Sequence, residues 1–387
     1  MPGPGGGPRS DRGGGRVGRG GHPAPRIAVV GVPANRRSTL FAAAAAASGL
    51  PAPRLLCWGS VLAGTAAFEP GELVRLDSPG EDPELDRLLR GHTDSTRVEG
   101  TARWYRRFLA AAHAVAERAA ADGAELLDAP ADLAVLFDKR RCHAVLRSAG
   151  VPVPASPTSG QDAAPVRGWA DVRALLAEPG MRRAFVKLAH GSSASGVLAV
   201  ETAGGGRVQA LTSVQRDERG RLFNSLRLHR YRSEREVAAV IDALAPDGLH
   251  VERWLPKPAL HGRSADLRVL VVAGRATHVV VRTGSSAITN LHLGGARGDL
   301  AAVVAAAGEH WPGALAVAEA AAACFPGFSR VGVDVLPGLG WRRWAVGEVN
   351  AFGDLLPRLT GLPGSGAEGL DTYAAQLAAL RRRPCPV

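Results

Sequence analysis

Sulfur and lysine are scarce in this chain of 387 residues. It holds four cysteines, Cys57, Cys142, Cys324 and Cys385, and two methionines. The cysteines are far apart and form no CxxC pair. A disulfide framework or a cysteine-built zinc site is therefore not expected, and a reducing, cytoplasmic compartment is the default. No apolar run approaches the roughly 20 residues that a membrane span needs, so no membrane partner is expected. The N-terminus lacks an apolar h-region, so no secretory signal is expected either. Only three lysines occur, Lys139, Lys187 and Lys257, and only four asparagines, Asn35, Asn224, Asn290 and Asn350.

Arginine supplies almost every cation, and Ala, Gly, Arg and Pro are abundant. This alphabet is that of a very GC-rich, and so bacterial, genome. Under such pressure a lysine that persists marks a place where a compact point charge serves and a planar guanidinium does not. That directs attention to three positions, although Lys257, between two prolines, reads equally well as chance retention. Hydrophobic residues make up 46% of the chain and charged residues 21%, as expected for a globule of two or three domains. The net charge of +11 divides unevenly: residues 1–26 hold +4, Arg381, Arg382 and Arg383 add +3, and the rest carries +4. A near-neutral body without interleaved aromatics argues against a nucleic-acid partner.

Four regions follow from the texture of the chain. Residues 1–25 are low-complexity Gly/Pro/Arg and are expected to be disordered. Over 26–130, short apolar strands at 26–31, 54–58 and 73–76 alternate with helical stretches, the pattern of a small parallel α/β domain. The turn 31–39 lacks the terminal GK[ST] of a phosphate loop and reads as a plain strand-to-helix turn. Over 131–247 a helix at 138–149 is followed by strands at 185–188 and 197–201 around a Gly/Ser loop. A hairpin and a helix with a Ser233/Glu236 capping box complete this region. Over 248–380, hairpins at 267–282 and 331–350 mix with helices, an α+β texture.

The last hairpin carries chemistry. Asp334 and Glu348 are symmetric about its turn, which would set their Cβ atoms ~5 Å apart across two strands. Asn350, two residues on, shares that face. The neighbouring valines make this no solvated charge stripe. Two facing carboxylates repel unless a cation or a shared proton intervenes. With an amide oxygen they form a hard donor set suited to Mg²⁺ or Mn²⁺, although an incidental acid pair on an edge hairpin would look the same. The loop after Lys187, with Gly191, Ser192, Ser193 and Gly196, can turn backbone N–H groups toward phosphate oxygens. Asp266 and Arg268 share one face of an apolar strand, Arg282 ends the next, and Asn290 opens a Gly-rich segment.

Taken together, residues 132–356 resemble the ATP-grasp superfamily, and within it the carboxylate–amine ligases similar to ribosomal-protein glutamate ligases and glutathione synthetases. The resemblance implies two α+β lobes holding ATP between them, preceded by the small parallel α/β domain. It places Lys139 and Lys187 on the ATP phosphates. Glu252, Trp254 and Leu255 become a hinge that holds adenine, Asp266 the ribose partner, and Arg268 and Arg282, with Asn290, the residues nearest the transferred phosphoryl group. Asp334, Glu348 and Asn350 become ligands of two Mg²⁺ (or Mn²⁺) ions. Two departures stand out: the stretch from the hinge to Asp266 is longer than in those ligases, and Ala351–Phe352–Gly353–Asp354 replaces a Pro-Gly turn, so that Asp354 reads either as an acceptor-site acid or as a surface acid.

The activity implied is ADP-forming ligation. A substrate carboxylate becomes an acylphosphate and is then captured by an amine, on a small molecule or a peptide. The same fold used as a small-molecule kinase, or as a nucleotide-binding module without catalysis, are the alternatives. A homodimer is left open.

Overall fold

The computed structural model describes Gly3 and residues 24–383, except positions 81, 93, 192, 193, 204 and 205. The tail expected to be disordered thus lies outside the described residues, apart from Gly3, Ala24 and Pro25. So do Ser192 and Ser193.

The first sheet is parallel, in the order β2-β1-β3-β4: β1 (Ile27–Gly31), β2 (Arg54–Cys57), β3 (Leu73–Leu76) and β4 (Glu125–Leu126). Every residue of β1 is buried, as its unbroken apolar run requires of a central parallel strand. Helices α1 (Arg36–Ala47), α2 (Trp58–Leu62), α3 (Pro83–Arg90) and α4 (Thr101–Ala121) connect these strands. The turn before α1 is the plain one expected, with Asn35 as N-cap accepting from Ser38 N. The short helices α5 (Pro130–Leu136) and α6 (Lys139–Ser148) lead out of this layer. Asp138 caps α6 by accepting from Arg140 N and Arg141 N, which sets the first residue of α6 at a defined place.

The second sheet has the order β8-β7-β6-β5-β9 and is antiparallel: β5 (Arg183–Leu188), β6 (Leu198–Ala203), β7 (Arg207–Arg216), β8 (Leu222–Tyr231) and β9 (Leu249–Arg253). Helices α7 (Trp169–Ala177) and α8 (Glu234–Leu244) cover it, and α8 begins with the Ser233/Glu236 capping box.

The third sheet runs β13-β12-β11-β14-β15, with a short β10 beside β11. Its strands are β10 (Ala259–Leu260), β11 (Arg263–Val272), β12 (Arg275–Gly284), β13 (Ala296–Arg297), β14 (Arg330–Pro337) and β15 (Trp344–Asn350). Helices α9 (Leu300–Ala307) and α10 (Trp311–Ala323) pack on it through Val303, Ala307, Ala314, Val317 and Ala321. The stretch Leu300–Ala323 is 24 residues long and apolar enough to match a membrane span by length and composition. The expectation was that no apolar run reaches such a length; within the stretch a 3-10 turn at Gly308–His310 separates the two helices, and Glu309 and Glu319 break the run. The last helix, α11 (Thr372–Arg381), packs on α1 and β1 through Tyr373 and Leu377, and on the third sheet through Ala379.

A candidate active site between the second and third sheets

One cleft is lined by β5 and β9 of the second sheet, by β11, β12, β14 and β15 of the third, and by the first residue of α6. All three lysines of the chain face it.

The strand register sets out the charges. Arg268 on β11 stands beside Asp334 on β14, and Asp334 stands beside Glu348 on β15. Asp266, two residues before Arg268, is paired with Arg282 on β12. A bulge falls between Asp334 and Val335, which pairs with Val346 and leaves Gly347 as the extra residue. The anticipated opposition of Asp334 and Glu348 is therefore what the structure shows. Asn350 lines the same cleft, its Nδ2 donating to Gly332 O at 3.3 Å.

Each carboxylate is neutralised by a cation. Lys139 Nζ donates to Glu348 Oε1 at 2.8 Å and to Gly191 O at 2.6 Å. Lys187 Nζ lies 2.5 Å from Glu252 Oε1, the two residues coming from the adjacent strands β5 and β9. Arg268 pairs with Asp334, and Arg282 bridges Asp266 at 2.7 Å and Asp334 at 3.2 Å. Burial alone would raise Glu252, but the Lys187 ammonium and His250 outweigh it and hold the carboxyl at about 2. Burial likewise opposes the charge on Asp266 and Asp334, yet Arg282 with Lys257, and Arg268 with Arg282, keep both below the usual carboxylate range. Lys187 and Arg282 are pushed upward despite burial, by Glu252 and Asp266 respectively.

Of the residues anticipated from the sequence, Lys139, Lys187, Gly191, Glu252, Leu255, Asp266, Arg268, Arg282, Asn290, Asp334, Glu348 and Asn350 meet in this cleft. Trp254 and Gly196 do not line it. The Trp254 ring lies 5.5 Å from that of Phe185, which does. Gly196 turns the loop with φ +70°, and a Cβ there would stand 2.4 Å from Leu188 Cδ1. Asp266 Oδ1 accepts from Arg282, and its Oδ2 accepts from Lys257 and Thr289.

Two positions gain a definite place. Lys257, left open as chance retention, lines the cleft with its side chain 8% exposed and pairs with Asp266. Asp354 is neither an acceptor-site acid nor a surface acid. It is 1% exposed and accepts from Arg37 at 2.8 Å, Arg75 at 2.7 Å and Gln376 at 3.2 Å. It joins the first sheet to the segment after β15. The apolar wall of Phe185, Val197, Ile288 and Leu336 was also missed. Phe185 was legible, since it shares a strand face with Lys187 two residues away.

Two carboxylates and the Asn350 amide are donors of the type a hard divalent ion takes. Here the carboxylates are balanced by Lys139, Arg268 and Arg282, and no cluster of three or more His, Cys, Asp or Glu able to hold a metal ion occurs among the described residues.

No family model matches the sequence. No curated protein matches it. Solved structures do. The D-cycloserine synthetase DcsG is 18% identical, with 92% of this chain and 99% of that chain covered and a TM-score of 0.55. The ATP-grasp ligase PsnB complexed with minimal precursor is 17% identical, covering 92% and 99%, at a TM-score of 0.51. The carboxyaminoimidazole ribonucleotide synthase of Aspergillus clavatus complexed with ATP is 15% identical, covering 94% and 78%, at 0.50. At these identities the likeness is one of fold, and the fold of this chain is the ATP-grasp fold.

Proposed function

We propose that this chain of ATP-grasp fold is an ATP- and Mg²⁺-dependent ligase that activates a carboxylate and joins it to an amine, releasing ADP and phosphate. The observation that carries the reading is the cross-strand row Arg268–Asp334–Glu348, faced by Lys139 and Lys187 in one cleft. Such an array suits a polyanion that arrives with its own counter-ions. Solved structures of this fold described as a ligase and a synthetase, and one described as complexed with ATP, support it.

In the first step a carboxylate oxygen of the substrate attacks the γ-phosphorus. The bond from that phosphorus to the β,γ-bridging oxygen breaks, and ADP leaves. In the second, the amine nitrogen attacks the acyl carbon, the acyl C–O bond breaks, and phosphate leaves as the nitrogen gives up a proton. No covalent bond to the protein is needed. The protein's part is alignment and charge neutralisation. Lys139, whose backbone N–H donates to Ala189 O just past β5, and Lys187 on β5 both line the cleft, so together they can hold phosphate oxygens. Arg268 and Arg282, diagonal neighbours on β11 and β12 that share Asp334, would offset charge on the phosphoryl group in transfer. A divalent ion held by Asp334, Glu348 and Asn350 would supply further positive charge to the phosphate oxygens. The substrate partner is a small molecule or a peptide that bears the carboxylate, with an amine as acceptor.

The test is a thermal-shift titration with ATP plus Mg²⁺, beside each alone, followed by ADP release with pools of carboxylates and amines. A ligand at ~100 times its dissociation constant adds about 2.7 kcal/mol, a shift of a few degrees. The reading expects the full shift only with both components, and an amide product. A phosphomonoester product would make the protein a kinase, and no shift from folded protein would remove the nucleotide site altogether.

A further inference from the structure

Lys257 comes from the stretch that is longer than the resemblance led one to expect. Beyond β9 the chain does not run straight into β11. It folds back through β10, which pairs with the start of β11, and reverses at His261 and Gly262, both with positive φ (50° and 76°). The reversal brings Lys257 beside Asp266, where its side chain is only 8% exposed.

The ammonium group is fully used there. Lys257 Nζ donates to Asp266 Oδ2 at 2.7 Å, to Thr289 Oγ1 at 2.9 Å and to Ala287 O at 3.2 Å. An ammonium has three protons, so none is left for a ligand. Two of the three acceptors belong to the loop after β12. That loop crosses to the other wall: its Ile288 and Leu293 pack with Val197, Phe185 and Leu228 of the second sheet. It also carries Asn290, and its Thr289 shares Asp266 with Arg282.

We propose that Lys257 is a positioning residue, a latch that holds the 285–293 loop across the cleft and thereby fixes Asn290 and, through Asp266, Arg282. The inserted β10 hairpin is the mount of this latch. Three acceptors converge on a single nitrogen, a geometry that a point charge satisfies and a planar fork does not. That suits a lysine here in a chain that uses arginine for almost every other cation. The inference deepens the nucleotide reading and rests on it for its effect on ATP, although the latch itself is a property of the ligand-free protein.

The experiment is hydrogen exchange on ligand-free wild type, Lys257→Met, Lys257→Arg and Thr289→Val, with calorimetric titration of ATP in the presence of Mg²⁺. Amides of 285–293 should exchange roughly tenfold faster in Lys257→Met and Lys257→Arg, and less so in Thr289→Val, while the strands of the second sheet keep their protection. ATP should bind about tenfold more weakly to the two Lys257 variants, with KM for ATP rising more than kcat falls in any assay that turns over. Unchanged loop exchange in folded Lys257→Met would overturn the latch, and so would full protection restored by Lys257→Arg. Should Lys257→Met fail to fold, Thr289→Val decides by the same exchange. A wild-type protein that binds no nucleotide would overturn the functional reading alone, since the exchange comparison still judges the latch.

Discussion

Asp334 and Glu348 are direct cross-strand partners on β14 and β15, and neither touches the other's counter-ion: Arg268 and Arg282 serve Asp334, and Lys139 serves Glu348. Two adjacent carboxylates are thus paired with three cations drawn from β11, β12 and α6. On the proposed reading, a divalent ion held by the two carboxylates would free these cations to meet the phosphates, an exchange of partners within the set. The ion or the phosphates alone would leave like charges facing one another.

The first prediction follows from that exchange. Glu348→Gln combined with Asn350→Ala should abolish the Mg²⁺-dependent part of the ATP-induced thermal shift. It should also lower ADP formation by about 10²–10³-fold, the loss typical of one preorganised electrostatic group. The ligand-free midpoint should move by a few degrees at most. Retention of the metal-dependent shift would place the ion elsewhere.

The second concerns Lys187 and Glu252. Removing one partner of a buried pair leaves an uncompensated charge and costs roughly 3–5 kcal/mol. Lys187→Ala should therefore lower the urea midpoint markedly, whereas Lys187→Ala with Glu252→Gln should recover most of the loss. ATP binding should stay absent in both. Binding restored in the double variant would mean that Lys187 serves stability only.

The third concerns pH. Burial depresses His143 and His250 below the usual 6.5, and outweighs the pull of Glu252 in the other direction. His250 Nε2 lies 3.3 Å from Glu252 Oε2, and His143 bonds Ser159 and the carbonyl of Pro154. Below 6.5 the unfolded chain takes up protons that the folded protein refuses, so stability is full above that value and declines as pH falls through it. Glu252, held at about 2 against a usual 4.5, acts in a separate, lower window: its contribution is present above 4.5 and is lost as pH falls toward 2. Urea midpoints should fall between about pH 7 and 5, and His143→Gln should make that fall shallower. Midpoints flat to pH 5 would contradict neutral buried histidines.

What could be read from residue order is instructive in its limits. The Asp334–Glu348 pair was legible because a single hairpin relates its members by symmetry, and Lys139 because lysine is rare here and the resemblance sets one at a helix start. Lys187 and Glu252 were each legible, but not as partners. They meet because β9 returns beside β5 after β6, β7, β8 and α8, a crossover with no local signature. Lys257 was not separable from chance, because no strand or helix pattern surrounds it and its place depends on one two-residue reversal. Asp354 was misread for a related reason. Its partners Arg37, Arg75 and Gln376 lie on α1, β3 and α11, and only the assembled fold shows that they converge.

The position of α11 bears on how the protein comes to be made. Ile27 and Val29 of β1 and Phe41 of α1 share a core with Tyr373 and Leu377 of α11, so β1 is fully covered only once α11 has been made and has folded back. Contacts that span so much of the sequence slow folding. Until α11 docks, this face of β1 and α1 stays open, and a truncation that removes α11 would leave it so.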